Sequence, residues 1–214
     1  MAMLLEPVLI AALALNFVML GTSRVRAVIQ AVALQGALFG ILPILIHADV
    51  EARAVFLALA AIGIKGLLIP YFLNYAMREV DFRHEARPIV DFVPSLLLGA
   101  IGTALAIVFA GSLPLLDDHD DTLVVPTALA TVLTGFLLLT TRKMAINQVL
   151  GYLVLENGIF TFGMLLLEAM PFLVEIGVLL DLFTGVFIMG IIIHHVSREF
   201  ASVSTEFLSD LKEE

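Results

Sequence analysis

Three ionisable residues interrupt stretches that are otherwise apolar: Glu156 in VLGYLVLENGIFTFG, Asp181 in VEIGVLLDLFTGVFIMGII and Lys65 in AIGIKGLLIPYF. A charged side chain at a bilayer centre costs about 2.5–3.5 kcal/mol on insertion scales, so an intramembrane charge is by default a functional-site hypothesis. Carboxylates at fixed depth that gain and lose a proton can hand protons along a path. A carboxylic acid that stays neutral and hydrogen-bonded only holds helices together, and for Glu156 both readings stand at this point. At about 1.5 Å per residue, Glu156 lies about 18 Å into its span, Asp181 about 14 Å into the next and Lys65 about 16 Å into an earlier one. Three charges of both signs near one depth suggest a lateral relay. Lys65 is expected to find its acid on a neighbouring subunit.

Spacing also sketches how protons would reach such a relay. Gln148, Tyr152 and Glu156 fall at i, i+4 and i+8, a polar stripe along one helix face. Asp181, Thr184 and His195 share a face of the following span, with His195 at its mouth; an ordinary interfacial role for His194 and His195 is the alternative. Glu175 stands six residues outside Asp181 and is a further candidate for access, with an outer interface position as its bland reading. Pro70 lacks an N–H and so frees the carbonyl of Gly66, next to Lys65, where water could be held. Gln35 joins the candidates because LQGALF lines up with LENGIF, which sets Gln35 against Glu156.

The elements that position these residues follow from composition. The chain is 61% hydrophobic and 14% charged, against about 25% charged in ordinary soluble domains, so it reads as an all-α, polytopic membrane protein. About 20 apolar residues make one span. Hydropathy predicts seven: Leu4 to Gly21, Val25 to Ile46, Ala54 to Met77, Val90 to Gly111, Leu123 to Thr140, Met144 to Leu167 and Phe172 to His194. Of the eleven basic residues, nine fall in alternate loops on one side, Arg53 alone on the other, and Lys65 within a span. The positive-inside rule then puts the N-terminus outside and the C-terminus in the cytoplasm. There is no cysteine, which removes iron–sulfur clusters, thiolate zinc sites and cysteine nucleophiles together. No cofactor is expected, and any redox chemistry must sit in another chain.

Residues 1–89 form a three-helix half, 90–122 a linking helix with an acidic outer loop, 123–195 a second three-helix half, and 196–214 an amphipathic cytoplasmic tail. Spans one to three and five to seven run the same way, as a direct repeat joined by span four would require. Gly36 and Gly40 are a small-xxx-small pair suited to close helix packing, and Pro43 and Pro70 predict kinks.

GYLVLENG around Glu156, the Asp181 segment, and KGLLIPYFLNYAMR from Lys65 onward together resemble hydrogenase-4 component E over nearly the whole chain. That family's second half is similar to the small K subunit of the complex I membrane arm. The resemblance implies a non-catalytic subunit of a membrane-bound nickel–iron hydrogenase or formate hydrogenlyase-like complex in the cell (inner) membrane. Its partners would be antiporter-like and H-like membrane subunits of the same complex, a hydrogenase or other redox peripheral arm, and the lipid bilayer; no nucleic acid is implied. In the K subunit two glutamates on successive helices contribute to the proton path. Glu156 matches the first and Asp181 the second, one methylene shorter; Gln35 and Lys65 have no counterpart there. The competing readings are a subunit of a sodium/proton antiporter-type complex and a purely structural assembly subunit.

Overall fold

A computed structural model describes residues 2–46, 52–79, 88–113 and 123–164. The expected seventh span with Glu175, Asp181, Thr184 and His195, the tail and the acidic loop lie outside the described residues. Those described are helical, with no strand among them: α1 (Ala2–Gly21), α2 (Val25–Ile46), α3 (Ala52–Ala61), a π-helical segment (Ile62–Leu68), α4 (Ile69–Glu79), α5 (Phe92–Ala110), α6 (Val124–Thr141) and α7 (Ala145–Gly163). Among them five candidate spans are long and apolar enough to cross a membrane: Leu4–Gly21, Val25–Leu45, Ala58–Tyr75, Phe92–Ala110 and Val124–Thr141. α7 is not one of the five, because Asn147, Gln148, Glu156 and Asn157 dilute its apolar run.

The third span is not a plain helix. α3, the π segment and α4 follow one another without a break, and the Ile69 N–H reaches back five residues to the Ile64 carbonyl. Proline explains the position: Pro70 cannot donate to Gly66, and a helix that widens by one residue just before the proline loses less than one that keeps α register. The kink expected at Pro70 is thus drawn out into a wide segment with Lys65 at its middle. Pro43, by contrast, is accommodated within α2.

Neighbouring helices run in directions that their end contacts reveal. Near the start of α1, Glu6 Oε1 accepts the backbone N–H of Leu123 at 3.3 Å, just before α6. At the far ends, Arg142 Nη2 donates to the Leu20 carbonyl at 2.9 Å. So α1 and α6 lie parallel. The same holds for α2 and α7: Val28 and Ile29 share a core with Ile146 and Leu150, and Phe39 and Leu42 share another with Phe160 and Met164. α1 with α6 and α2 with α7 therefore pair side by side, each pair in one direction.

α6 is central, with 61% of its span buried in the chain, whereas α5 is peripheral at 17%. In a bilayer, apolar side chains gain little by leaving lipid for protein, so close backbone approach has to hold helices together. α6 and α7 show it most clearly. A Cβ on Gly135 would stand 2.4 Å from the Leu155 backbone nitrogen, and one on Gly158 2.7 Å from the Val132 nitrogen and 2.8 Å from the Ala128 carbonyl. Only glycine fits these crossings, and they fix the helix that carries Glu156.

Candidate functional site

Lys65 is buried in the π segment at 5% exposure, and Glu156 is buried on α7 at 8%. Their charged ends meet, with Lys65 Nζ 3.8 Å from Glu156 Oε1. The ammonium also lies over the Phe160 ring, 4.6 Å from its centroid, one helical turn beyond Glu156. Carboxylate and aromatic face thus come from one side of α7, at i and i+4.

The lysine reaches them across α2. Its own segment packs on α2 at two glycines: a Cβ on Gly36 would stand 2.8 Å from Lys65 Cβ, and one on Gly40 2.8 Å from Ile62 Cγ1. Gly36 leaves the gap through which the four-carbon stem passes, and α7 packs directly on α2 beyond it. The acid facing Lys65 therefore lies within this chain, in contrast to the expectation of a partner subunit's acid. Depth is what sequence counting yields; which way each residue faces around its helix depends on the packing of α2 between the two.

Beside this pair runs a chain of neutral polar groups across four helices. Asn157 Nδ2 donates to Gln35 Oε1 at 3.5 Å, and Gln35 Nε2 donates to Asn16 Oδ1 at 2.9 Å and to the Ala12 carbonyl at 3.3 Å. Asn16 Nδ2 completes it by donating to Thr131 Oγ1 at 3.0 Å. All four side chains are buried, Gln35 and Thr131 fully so. Asn157 is the neighbour of Glu156, so the amide chain and the ion pair leave α7 at adjacent positions.

Asn16, Asn157 and Thr131 are the residues that sequence reasoning passed over. Apart from Glu6, Asn16 is the one strongly polar residue of α1, and Asn157 sits beside the acid already singled out; either could have been found by seeking neutral amides at the depth of the charges. Gln35, chosen only by alignment with Glu156, holds the middle of this chain. Along the expected access stripe, Gln148 is exposed, Tyr152 is 36% exposed and Glu156 is buried, a gradient from the α7 start inward. Among the described residues no cluster of three His, Asp or Glu could hold a metal ion.

No protein-family model matches this chain, and no solved structure matches it. It is similar to hydrogenase-4 component E of Escherichia coli K12 and of Shigella flexneri, 28% identical over 150 residues, which cover 69% of this chain and 68% of each relative. It is also similar to the uncharacterized protein Rv0085 of Mycobacterium tuberculosis, 30% identical over 190 residues, or 88% of this chain and 86% of that one. A likeness of that strength over nearly the full length of both chains places this protein in the family of Rv0085.

Proposed function

We propose that this chain is a non-catalytic membrane-arm subunit of a hydrogenase-type complex related to complex I, and that Glu156 and Lys65 belong to a lateral proton path coupled to redox chemistry in partner chains. The single observation that carries the reading is the buried Lys65–Glu156 pair, held on a widened helical segment at a depth the bilayer reaches. The similarity to hydrogenase-4 component E supplies the class of complex. Partners would be antiporter-like and H-like membrane subunits and a redox peripheral arm, in the cytoplasmic membrane. Asp181 is the proposed second acid, with Gln148, Tyr152, Thr184, Glu175 and His195 as access groups and Gln35 beside the first acid.

In this mechanism the pair works as a coupled switch. Two unit charges about 4 Å apart attract by about 4 kcal/mol at an effective dielectric constant near 20. A proton arriving on Glu156 cancels that attraction, and the Lys65 ammonium then favours another anion; when the proton leaves, the pair re-forms. Proton transfer needs hydrogen-bond contact, so at 3.8 Å the pair must close slightly or pass the proton through one water. The π segment suits this, since widened turns in helices recur at functional sites.

Glu156→Gln keeps size and hydrogen-bonding capacity while abolishing titration. The complex carrying it is expected to assemble and to transfer electrons to an artificial acceptor in detergent, while proton translocation in sealed vesicles falls by about a hundredfold, the low end of what a positioned proton-transfer group contributes. Glu156→Asp should fall between. Pumping at the wild-type proton-to-electron ratio by the glutamine variant would sink the relay and leave a structural subunit. A strict requirement for sodium would instead favour the antiporter-type reading.

A further inference from the structure

A second site lies at the other end of the polar repertoire, where α1 and α6 end and α2, α5 and α7 begin. There a cavity of about 210 Å³ opens between these helix ends, rimmed by Thr22, Ser23, Asn147 and Arg142 and walled by Phe92 and Leu138. It is smaller than the roughly 300–1,000 Å³ of sites for drug-sized ligands, and so suits a compact polar head. Arg142 is 6% exposed. Its guanidinium bonds the Leu20 carbonyl through Nη2 and lies 4.8 Å from the Phe92 ring centroid, both neutral partners, and among the described residues it forms no ion pair.

A full positive charge buried among neutral partners is costly, because a carbonyl and a ring return only part of what hydration gave. Burial accordingly pulls the Arg142 pKa below its ordinary value. One Nη2 donor is spent on Leu20, and a guanidinium carries five, in a planar fork that matches phosphate. Arg24 and Lys143 on the loops of Ser23 and Arg142, and Arg26 in the first turn of α2, stand exposed and add positive potential around the opening. Helix ends place the opening at the level where lipid head groups lie, and basic pockets between membrane helices bind anionic head groups.

We propose that this cavity binds the phosphate of an anionic phospholipid, with Arg142 as its fork and Thr22, Ser23 and Asn147 as its remaining polar contacts. The lipid's chains would descend along the apolar flank of α5. This ties the peripheral α5, through Phe92, to the α1–α6 core by a bound lipid as well as by protein contacts.

The test uses the full chain purified in a neutral detergent. Phosphatidylglycerol, phosphatidylcholine and inorganic phosphate are each titrated while the unfolding temperature and, by native mass spectrometry, bound lipid are followed. Phosphatidylglycerol should remain bound at one per chain and raise the unfolding temperature; phosphatidylcholine has the same phosphate but adds a trimethylammonium that the Arg142, Arg24 and Lys143 cations repel, and should bind at least about tenfold more weakly. Arg142→Gln should lose the effect, and because it also breaks the Leu20 bond, Asn147→Asp serves as the second variant. That substitution keeps Arg142 and its bond, puts an acid in the first turn of α7 where it favours the helix, and supplies the cavity with an anion of its own. It should unfold at a higher temperature than wild type without lipid and gain nothing from phosphatidylglycerol. Equal response to both lipids, an undiminished lipid response in Asn147→Asp, or full stabilisation by inorganic phosphate alone would each overturn the proposal, the last in favour of a free-anion site.

Discussion

α7 meets the first half of the chain through two polar centres one residue apart, and they are built differently. At Asn157 the contacts are amides and a hydroxyl at hydrogen-bond distance, passing from helix to helix until they end at Thr131. At Glu156 the contact is ionic, 3.8 Å long, and made to a lysine on a helix that departs from α register. Amides do not change charge near neutral pH, so the first centre has one state and fixes the crossing of α1, α2, α6 and α7. The second joins an acid on the regular α7 to a base on a segment whose backbone bonding is already irregular. The chain thus places a neutral polar lock next to a buried ion pair, and the lock holds α7 at the crossing where that pair forms.

That contrast can be broken most severely at the glycines beneath it. Gly158→Val should abolish folding of the α6–α7 pair, costing more than about 3 kcal/mol because the added atoms meet the α6 backbone at Val132 and Ala128 as well as the stiff Val132 side chain. Loss of the chain from membranes, read by immunoblot, checks it; normal accumulation would mean the helices can separate freely. Next comes the ion pair. Removing either charge alone, by Lys65→Met or Glu156→Gln, should destabilise the purified chain by about 3 kcal/mol, while the double variant recovers most of that loss. Lys65→Arg should cost less than Lys65→Met in both stability and coupled pumping. Additive losses in the double variant would show that the two side chains do not work as a pair.

The amide chain should respond more weakly. Gln35→Leu and Asn16→Ala are each expected to cost about 0.6 kcal/mol and at most about 1.7, the average and the maximum found for hydrogen bonds between membrane helices, and to couple with one another in a double-mutant cycle. Proton translocation should survive in whatever fraction assembles, and its loss at wild-type stability would make the amides part of the path. The smallest effect is topological. With no native cysteine, Ser202→Cys and Ser112→Cys should leave activity unchanged and react with an impermeant thiol reagent from opposite sides. Labelling from one side only would undo the orientation drawn from the basic residues.

Much of the fold is legible in the amino-acid sequence. The apolar runs locate α1, α2, α5 and α6 within two residues at each end, because a membrane span announces itself by composition alone. Lys65 and Glu156 stand out for the same reason, as charges where charges are expensive. What hydropathy cannot rank is a neutral amide, so Asn16 and Asn157 escape notice though they bind four helices. Nor does helical depth say which residues touch: Lys65 reaches Glu156 only because Gly36 is bare, a fact about the α2 crossing rather than about either charged residue. Pro70 marks an irregularity, but whether the helix bends or widens there depends on how the neighbouring α2 accepts Ile62 and Lys65.

The separation of Lys65 and Glu156 along the chain has a consequence for how the protein is made. Lys65 emerges from the ribosome 91 residues ahead of Glu156, the difference of their positions. At about 5–20 residues per second of synthesis, that is an interval of roughly 5–18 s in which the third span must be threaded into lipid before its acid exists. The third span must be held in lipid through that interval without its acid, so in nascent chains truncated before α7 a cysteine placed beside Lys65 should be open to a water-soluble thiol reagent, and Lys65→Leu should close that access.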